Sequence, residues 1–435
     1  MSVVRGWNQR WPPSGVWRSP AYVRIWSASV ISGLGSAITA IALPLLAALT
    51  LSATPFQMGL LIASETVPIL LFGLVTGVWV DRRPKRPVMI AADIGRAALL
   101  FLVPVTAWLG VLRIELLLVI AFLVGTLSVF FEIAAQSYLP VILSTEDLTE
   151  GNARLHTGWG LAEVGGPGLA GWLTQLFSAP IAILVDGVSY IASAVLLVGI
   201  RVPEPSHTRS LQGSEPNFRR ELEEGLRVVA GNPILRATAA ATGLWNLFDG
   251  ARTAVMILFL TRVAGLQAGA VGVIFTLGAT GFLIGSLLPE RMARRLGLGR
   301  AILLGIILAV PSELLTAFAS GPPSVAAVIA ATGFFLTGLT IPTYDVNQFS
   351  LRQAVTPLRL QGRVSATMRT LIRGLVPIGA LLGGLLAERI GLRAVMIVSA
   401  LGGPAAFVAI WFSPVRSLLA PPLRQDGGAG SLRSR

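Results

Sequence analysis

Cysteine is absent from this chain, lysine occurs once, at Lys85, and histidine twice, at His156 and His207. Without cysteine there are no disulfides, no thiolate zinc sites and no thiol nucleophile. The two histidines fall in or near hydrophilic segments, which excludes a histidine metal pair and a buried imidazole proton relay. A phosphate-binding loop needs Gly-x-x-x-x-Gly-Lys-[Ser/Thr], and the lone lysine stands in Asp81-Arg-Arg-Pro-Lys-Arg86, so nucleotide hydrolysis by that route is excluded too. No cofactor and no catalytic constellation is implied. Charge is also scarce. Asp, Glu, Lys and Arg make up 13% of residues, against about 25% in a soluble domain.

What is present is apolar. Hydrophobic residues make up 54% of the chain and mean hydropathy is +0.74, the composition of an integral membrane protein. About 20 apolar residues cross a bilayer as a helix. By that measure the sequence predicts spans over Val23–Leu49, Met58–Val80, Val88–Trp108, Leu116–Tyr138, Leu155–Leu176 and Ile181–Ile200. A second series covers Leu235–Leu260, Val271–Leu288, Ala301–Ala319, Val325–Val346, Val364–Ala387 and Ala394–Phe412. The resulting domains are a cytoplasmic segment over 1–22, a six-helix bundle over 23–200, a linker over 201–234, a second bundle over 235–412 and a disordered tail over 413–435. Because the first span is too long for a signal peptide and more follow, it is read as uncleaved.

The net charge of +13 is carried in short turns between spans and not in one patch, which argues for orientation in a bilayer and against a nucleic-acid partner. One set of turns holds the cluster at 81–86, Arg154, the run from Arg201 to Arg236, Arg291, Arg294, Arg295, Arg300, Arg352, Arg359 and Arg363. The opposite set holds only Arg113, Arg262, Arg389 and Arg393. Both termini are therefore expected on the cytoplasmic side. Arginine in place of lysine, with abundant Ala, Gly and Pro, points to a GC-rich bacterial genome. Within the linker, Pro203, Pro205 and a Ser/Gly-rich run precede Phe218, Leu222, Leu226 and Val229 on one helical face, the pattern of an amphipathic helix on the membrane surface.

The turn after the second span reads Gly77-Val-Trp-Val-Asp-Arg-Arg-Pro-Lys-Arg86. Gly77 allows close helix approach, and Asp81 suits the positive end of a neighbouring helix. With Gly77, Asp81, Arg82, Lys85 and Arg86 in place, the turn resembles the signature Gly-x-x-x-Asp-Arg-x-Gly-Arg-[Arg/Lys] of the major facilitator superfamily, Pro84 replacing its second glycine. A degenerate copy, Gly285 to Arg295, closes the equivalent helix of the second half, and Pro140–Pro167 is echoed by Gln353–Pro377. The resemblance implies an all-α membrane protein of twelve transmembrane helices in two pseudo-symmetric six-helix bundles, a monomer, and a transporter rather than an enzyme.

In the fifth span, Gly166, Pro167 and Gly171 resemble an exporter-associated motif of the superfamily, with a break expected at Pro167. Gly362-Arg-Val-Ser-Ala366, Pro377 to Gly384, Ala387 to Gly391 and Asp186-Gly-Val-Ser-Tyr190 resemble the bacterial branch that includes the enterobactin exporter and macrolide efflux proteins. That implies proton-linked export of an amphipathic small molecule from a bacterial inner membrane. The alternatives are uptake or facilitated diffusion of a metabolite, or a non-transporting receptor or scaffold.

Each ionisable group inside a span costs about 2.5–3.5 kcal/mol on insertion scales, so each needs a partner, water or a function. Asp93 with Arg96, and Asp249 with Arg252, are three apart and share a face. The first pair is read as structural. Asp249 is open between that and a role in the cavity, where Trp245 shares its face. Glu132 is either a proton or substrate group or the partner of Lys85 or Arg82. Asp345 is either a tenth-helix cavity acid or a helix-end residue near water. Glu163, at mid-span, is the acid that helix-end solvation does not explain. Glu65 and Arg373, on helices that the resemblance places face to face, are expected to pair and gate one side.

Overall fold

The computed structural model describes residues 15–204, 218–357 and 360–420. Arg5, Arg10, His207, most of the Ser/Gly-rich linker, Arg359 and the tail from 421 lie outside them, and with them the expectations made there. Among the described residues the regular structure is all helical. The first half contains α1 (Pro20–Leu49), α2 (Pro55–Asp81), α3 (Lys85–Trp108), α4 (Ile114–Ile142), α5 (Leu148–Leu176) and α6 (Ala179–Val198). After α7 (Phe218–Gly231) come α8 (Pro233–Leu258), α9 (Ala268–Gly285), α10 (Pro289–Leu296), α11 (Leu298–Ala317), α12 (Pro323–Val355), α13 (Gln361–Arg373), α14 (Leu375–Ile390) and α15 (Leu392–Trp411).

Ordinary capping chemistry starts several of these helices. Ser19 accepts from the Tyr22 amide ahead of α1, Thr54 and Gln57 form a reciprocal capping box on α2, and Asn232 accepts from Ile234 and Leu235 ahead of α8. Ten helical stretches are long and apolar enough to cross a membrane, the end of α13 counting with α14. The two remaining long helices, α5 and α8, are of 29 and 26 residues and complete the twelve.

The two halves repeat one packing plan. In the first, α1 packs on α5 and α6, α3 on α4 and α6, and α2 on α4; in the second, α8 packs on α14 and α15, α11 on α12 and α15, and α9 on α12. The halves meet where α5 crosses α9 and where α14 crosses α2, a pair of contacts that a pseudo-twofold axis exchanges.

Three expectations need correction. Pro167 does not break the fifth span, since α5 is continuous from Leu148 to Leu176. The eleventh span breaks at Gly374, between α13 and α14, and Pro377 falls in the first turn of α14, where its missing N–H costs nothing. Finally, α7 does not simply lie on a membrane surface. Its Val229 is buried in a cluster with Leu360, Val364 and Met368 of the α13 region.

The signature turn is also built differently from expectation. A Cβ on Gly77 would meet nothing within 4 Å, whereas on its second-half counterpart Gly285 it would collide with the Leu339 backbone of α12. Asp81 is exposed, and the acid at the start of α3 is instead Glu204, whose carboxylate accepts from the amides of Lys85 at 2.6 Å and Arg86 at 3.0 Å. Arg86 answers in kind, donating to the carbonyls of Leu197 and Val198 at the end of α6. Each charge thus meets the helix end of opposite polarity. Lys85 folds back on the carbonyls of Asp81 and Arg83, and Arg82 ends α2. The second half repeats the latch with backbone alone, the amides of Leu298 and Gly299 donating to Leu419 and Leu418 beyond α15. Removing the cap with Glu204→Ala should cost about 0.5–2 kcal/mol, read as a lower unfolding midpoint of the detergent-solubilised protein, while Asp81→Ala leaves the midpoint in place.

Candidate functional site

The face that carries the 81–85 turn and the opposite, far face are packed in different ways. At the far face one continuous apolar core draws on both halves, from Ile41, Leu45 and Met58 to Val255, Phe259 and Val395. Polar contacts reinforce it. Arg262 donates to the carbonyls of Ala48 and Ala53, the Phe56 amide at the start of α2 donates to Glu388, and the Gly269 amide at the start of α9 donates to Gln175. The last two are pseudo-symmetric, each half capping a helix of the other. Close approach depends on glycine. A Cβ on Gly171 would lie 2.5 Å from the Ala268 carbonyl and one on Gly384 2.5 Å from that of Pro55. The Gly166, Pro167, Gly171 motif therefore serves helix packing directly, Gly166 seating Ala37 of α1 while Pro167 and Gly171 seat Gly272 of α9. At the turn face each half has its own core, one from Val16 to Ile200 and another from Ala237 to Val415.

Between the halves lies a cavity of about 760 Å³. It is lined by α1, α2, α3, α4 and α6 from one half and α8, α12, α13 and α14 from the other. It continues toward the turn face as a space of about 320 Å³ between α2, α4 and α13, lined by Glu132, Gln136, Ser365, Arg369 and Arg373 among others. A second cavity of about 490 Å³ lies between α5, α9 and α12, walled by Phe275, Phe282 and Phe334.

A model of the Major Facilitator Superfamily matches residues 25–380. The chain belongs to this superfamily. Macrolide efflux protein A of Streptococcus pyogenes is 25% identical over 385 residues, 87% of this chain and 91% of that one. Multidrug efflux pump Tap of Mycolicibacterium fortuitum is 25% identical over 384 residues, 86% and 91% of the two chains. Among solved structures, the nucleoside transporter NupG superposes with a TM-score of 0.70 at 11% identity, over 90% of this chain and 98% of that one. A bacterial homologue of the iron transporter ferroportin, in an inward-facing state, superposes with a TM-score of 0.69 at 19% identity, over 91% and 99%. The chain is thus a multi-pass membrane transporter of the facilitator fold, a family of small-molecule carriers and not of enzymes.

The facilitator's candidate residues fall into separate groups. Glu65, Glu132, Asp345 and Arg373 all line the central cavity. Glu132 faces this space and not the signature turn, where Lys85 is held by carbonyls of its own loop. Asp345 lies on the cavity wall with Gln348. Glu65 and Arg373 face the same space without an ion pair between them, so in this conformation no such bridge closes it. Glu163 lies outside the central cavity, on the second one, with Arg252. Arg252 pairs with Asp249 at 2.5 Å, as the spacing implies, and also reaches 3.8 Å from Glu313 of α11, buried at 6% exposure. Trp245 packs on Tyr344, ring centroids 6.3 Å apart, outside the lining of the central cavity.

Three positions take a place in the structure that the sequence reading did not give them. Arg96 pairs with Asp93, as expected, but this pair is not remote from the site, because Arg96 lines the central cavity. Asp186 lines it too, accepting from Thr39 at 2.6 Å and Ser189 at 3.0 Å. Glu313 is reached by no spacing argument, since its partner Arg252 lies 61 positions away in the chain.

Proposed function

We propose that this facilitator expels amphipathic small molecules, with drugs, macrolides or siderophores as the substrate class, in exchange for protons. The observation that carries the reading is the central cavity. It places Glu65, Glu132, Asp345 and Asp186 on one space of mixed apolar and polar lining between two pseudo-symmetric halves. No carboxylate of the four has an ion-pair partner among the described residues. Uncompensated acids at membrane depth belong where water or a ligand reaches them, and such a wall suits a compound with an apolar body and a positive group.

The charge bias of the turns supports a cytoplasmic location for the turn face and both termini in a bacterial inner membrane, so this conformation receives substrate from inside. Export follows if proton and substrate compete for the cavity acids and the halves rock about the far-face contacts. The relatives named for efflux favour this direction over uptake. Glu65 and Arg373 are the groups that would pair as the turn face closes, Glu163 and Asp249 remain candidates for proton or substrate contact, and the working unit is a monomer.

The test is transport in everted membrane vesicles. With the interior acidified, the protein should accumulate a radiolabelled macrolide, and a protonophore should abolish the accumulation. Glu65→Gln should lower it about tenfold or more. Accumulation that ignores the pH gradient, or that runs outward, would contradict the reading.

A further inference from the structure

The Asp186-Gly-Val-Ser-Tyr190 stretch takes no part in the packing of the halves against each other, yet its polar side chains fall on one face of α6. Asp186, Ser189, Tyr190 and Ser193 follow i, i+3, i+4, i+7 spacing. Asp186 has no exposed surface but stands on the wall of the central cavity, and the donors on its carboxylate are both hydroxyls, Thr39 of α1 and Ser189. Helix α1 comes this close because residue 35 is glycine; a Cβ there would collide with Asp186 Oδ1 and Ser189 Oγ.

Behind this carboxylate is Arg96 of α3, ion-paired to Asp93 and bonded to Ser128 of α4 at 3.3 Å. Its guanidinium lies 4.0 Å from the ring centre of Tyr190 and 4.4 Å from that of Phe131. The Tyr190 hydroxyl meets Ser36 of α1 at 2.9 Å. The network is incomplete. Ser193 stands beside Asp93 as a hydrogen-bonding neighbour, but Arg96 Nε is buried without a hydrogen-bond partner, and a buried donor left open in this way calls for an explanation. One guanidinium stands near two carboxylates and is ion-paired to Asp93 alone. The cluster is neutral when Asp186 holds a proton and carries one uncompensated negative charge when it does not, and a buried charge of that kind is costly.

We infer that Asp186 is the group that takes up and releases the coupled proton, inside the first half and not at the interface between halves. A proton from cavity water adds to a carboxylate oxygen of Asp186 and forms an O–H bond; release breaks that bond and returns the proton to water, with no electron transferred. The charge left on release is answered by Arg96, whose free Nε allows it to turn from Asp93 toward Asp186. Because Thr39 and Ser36 belong to α1, and Arg96 to α3, the proton alters contacts among α1, α3 and α6 together. This inference rests on the proton-exchange reading above and names its carrier.

Infrared difference spectra of the full chain in lipid vesicles, taken across a pH jump, report the carbonyl stretch of protonated carboxyl groups. In Asp186→Asn that band should lose amplitude, and a band equal to that of the parent overturns the inference. Thr39→Val, which removes one hydroxyl and no charge, should displace the pH midpoint of the band, and an unmoved midpoint counts equally against it. In everted vesicles Asp186→Asn should accumulate about tenfold less macrolide, and the remaining flux should no longer follow the pH gradient. If the parent itself shows no gradient-driven accumulation, the exporter reading falls; if the parent shows it and Asp186→Asn keeps it, only the assignment of the carrier falls.

Discussion

Gly171→Val should reduce transport at least about tenfold without preventing insertion, and Gly384→Val should do the same. At both positions the first atom of any side chain would sit 2.5 Å from a backbone oxygen of the opposite half, a separation no flexible neighbour can relieve because the obstacle is main chain. Overpacking a tight contact costs about 1–3 kcal/mol. Here that cost falls on the far-face closure and not on either bundle, whose separate turn-face cores are untouched. The two substitutions should therefore act on the equilibrium between conformations. The distance between spin labels placed on the far-face ends of α5 and α9 should lengthen, while the detergent-solubilised variant elutes as the parent does. A side chain of the same size at Gly77, where a Cβ would meet nothing, should leave this conformation in place.

The second large effect is on stability. Arg252 is the cation that faces both Asp249 and Glu313, and Arg252→Leu would strand two carboxylates at membrane depth. Breaking a buried pair by removing one partner costs about 3–5 kcal/mol, because the remaining charge keeps its desolvation penalty without its compensation. The variant should accumulate poorly in the membrane and unfold at a much lower temperature after solubilisation. Adding Glu313→Gln and Asp249→Asn, which removes the stranded charges, should restore much of the loss. If the triple variant is as unstable as Arg252→Leu alone, packing of the guanidinium and not charge balance is what matters there.

The spans were legible because hydropathy is a local property. Even α5 and α8, the more polar of the long helices, were placed by the same measure, at Leu155–Leu176 and Leu235–Leu260. Contacts between neighbours on one helix were legible for the same reason, and Asp93 with Arg96, and Asp249 with Arg252, pair as their spacing implies. What the sequence hides is the partner from another helix. Glu204 looks like part of a linker until α3 is seen to begin against it, 119 positions earlier. Asp186 looks like one more acid in an apolar span, and only the arrival of Thr39 across 147 positions shows that it is held by hydroxyls. Glycines mislead in the same way. Gly77 and Gly171 read alike as small residues for close packing, but one faces open space and the other a backbone.

Since the chain has no cysteine, water access to the cavity can be read with a single introduced thiol. Thr66 lines the central cavity and hydrogen-bonds within its own helix, which makes Thr66→Cys a mild probe. A membrane-impermeant maleimide should label it from the turn face in resting vesicles, and an imposed pH gradient should transfer that labelling to the far face. A thiol that reacts from neither side, or from one side whatever the gradient, would contradict a water-filled passage that alternates between two faces.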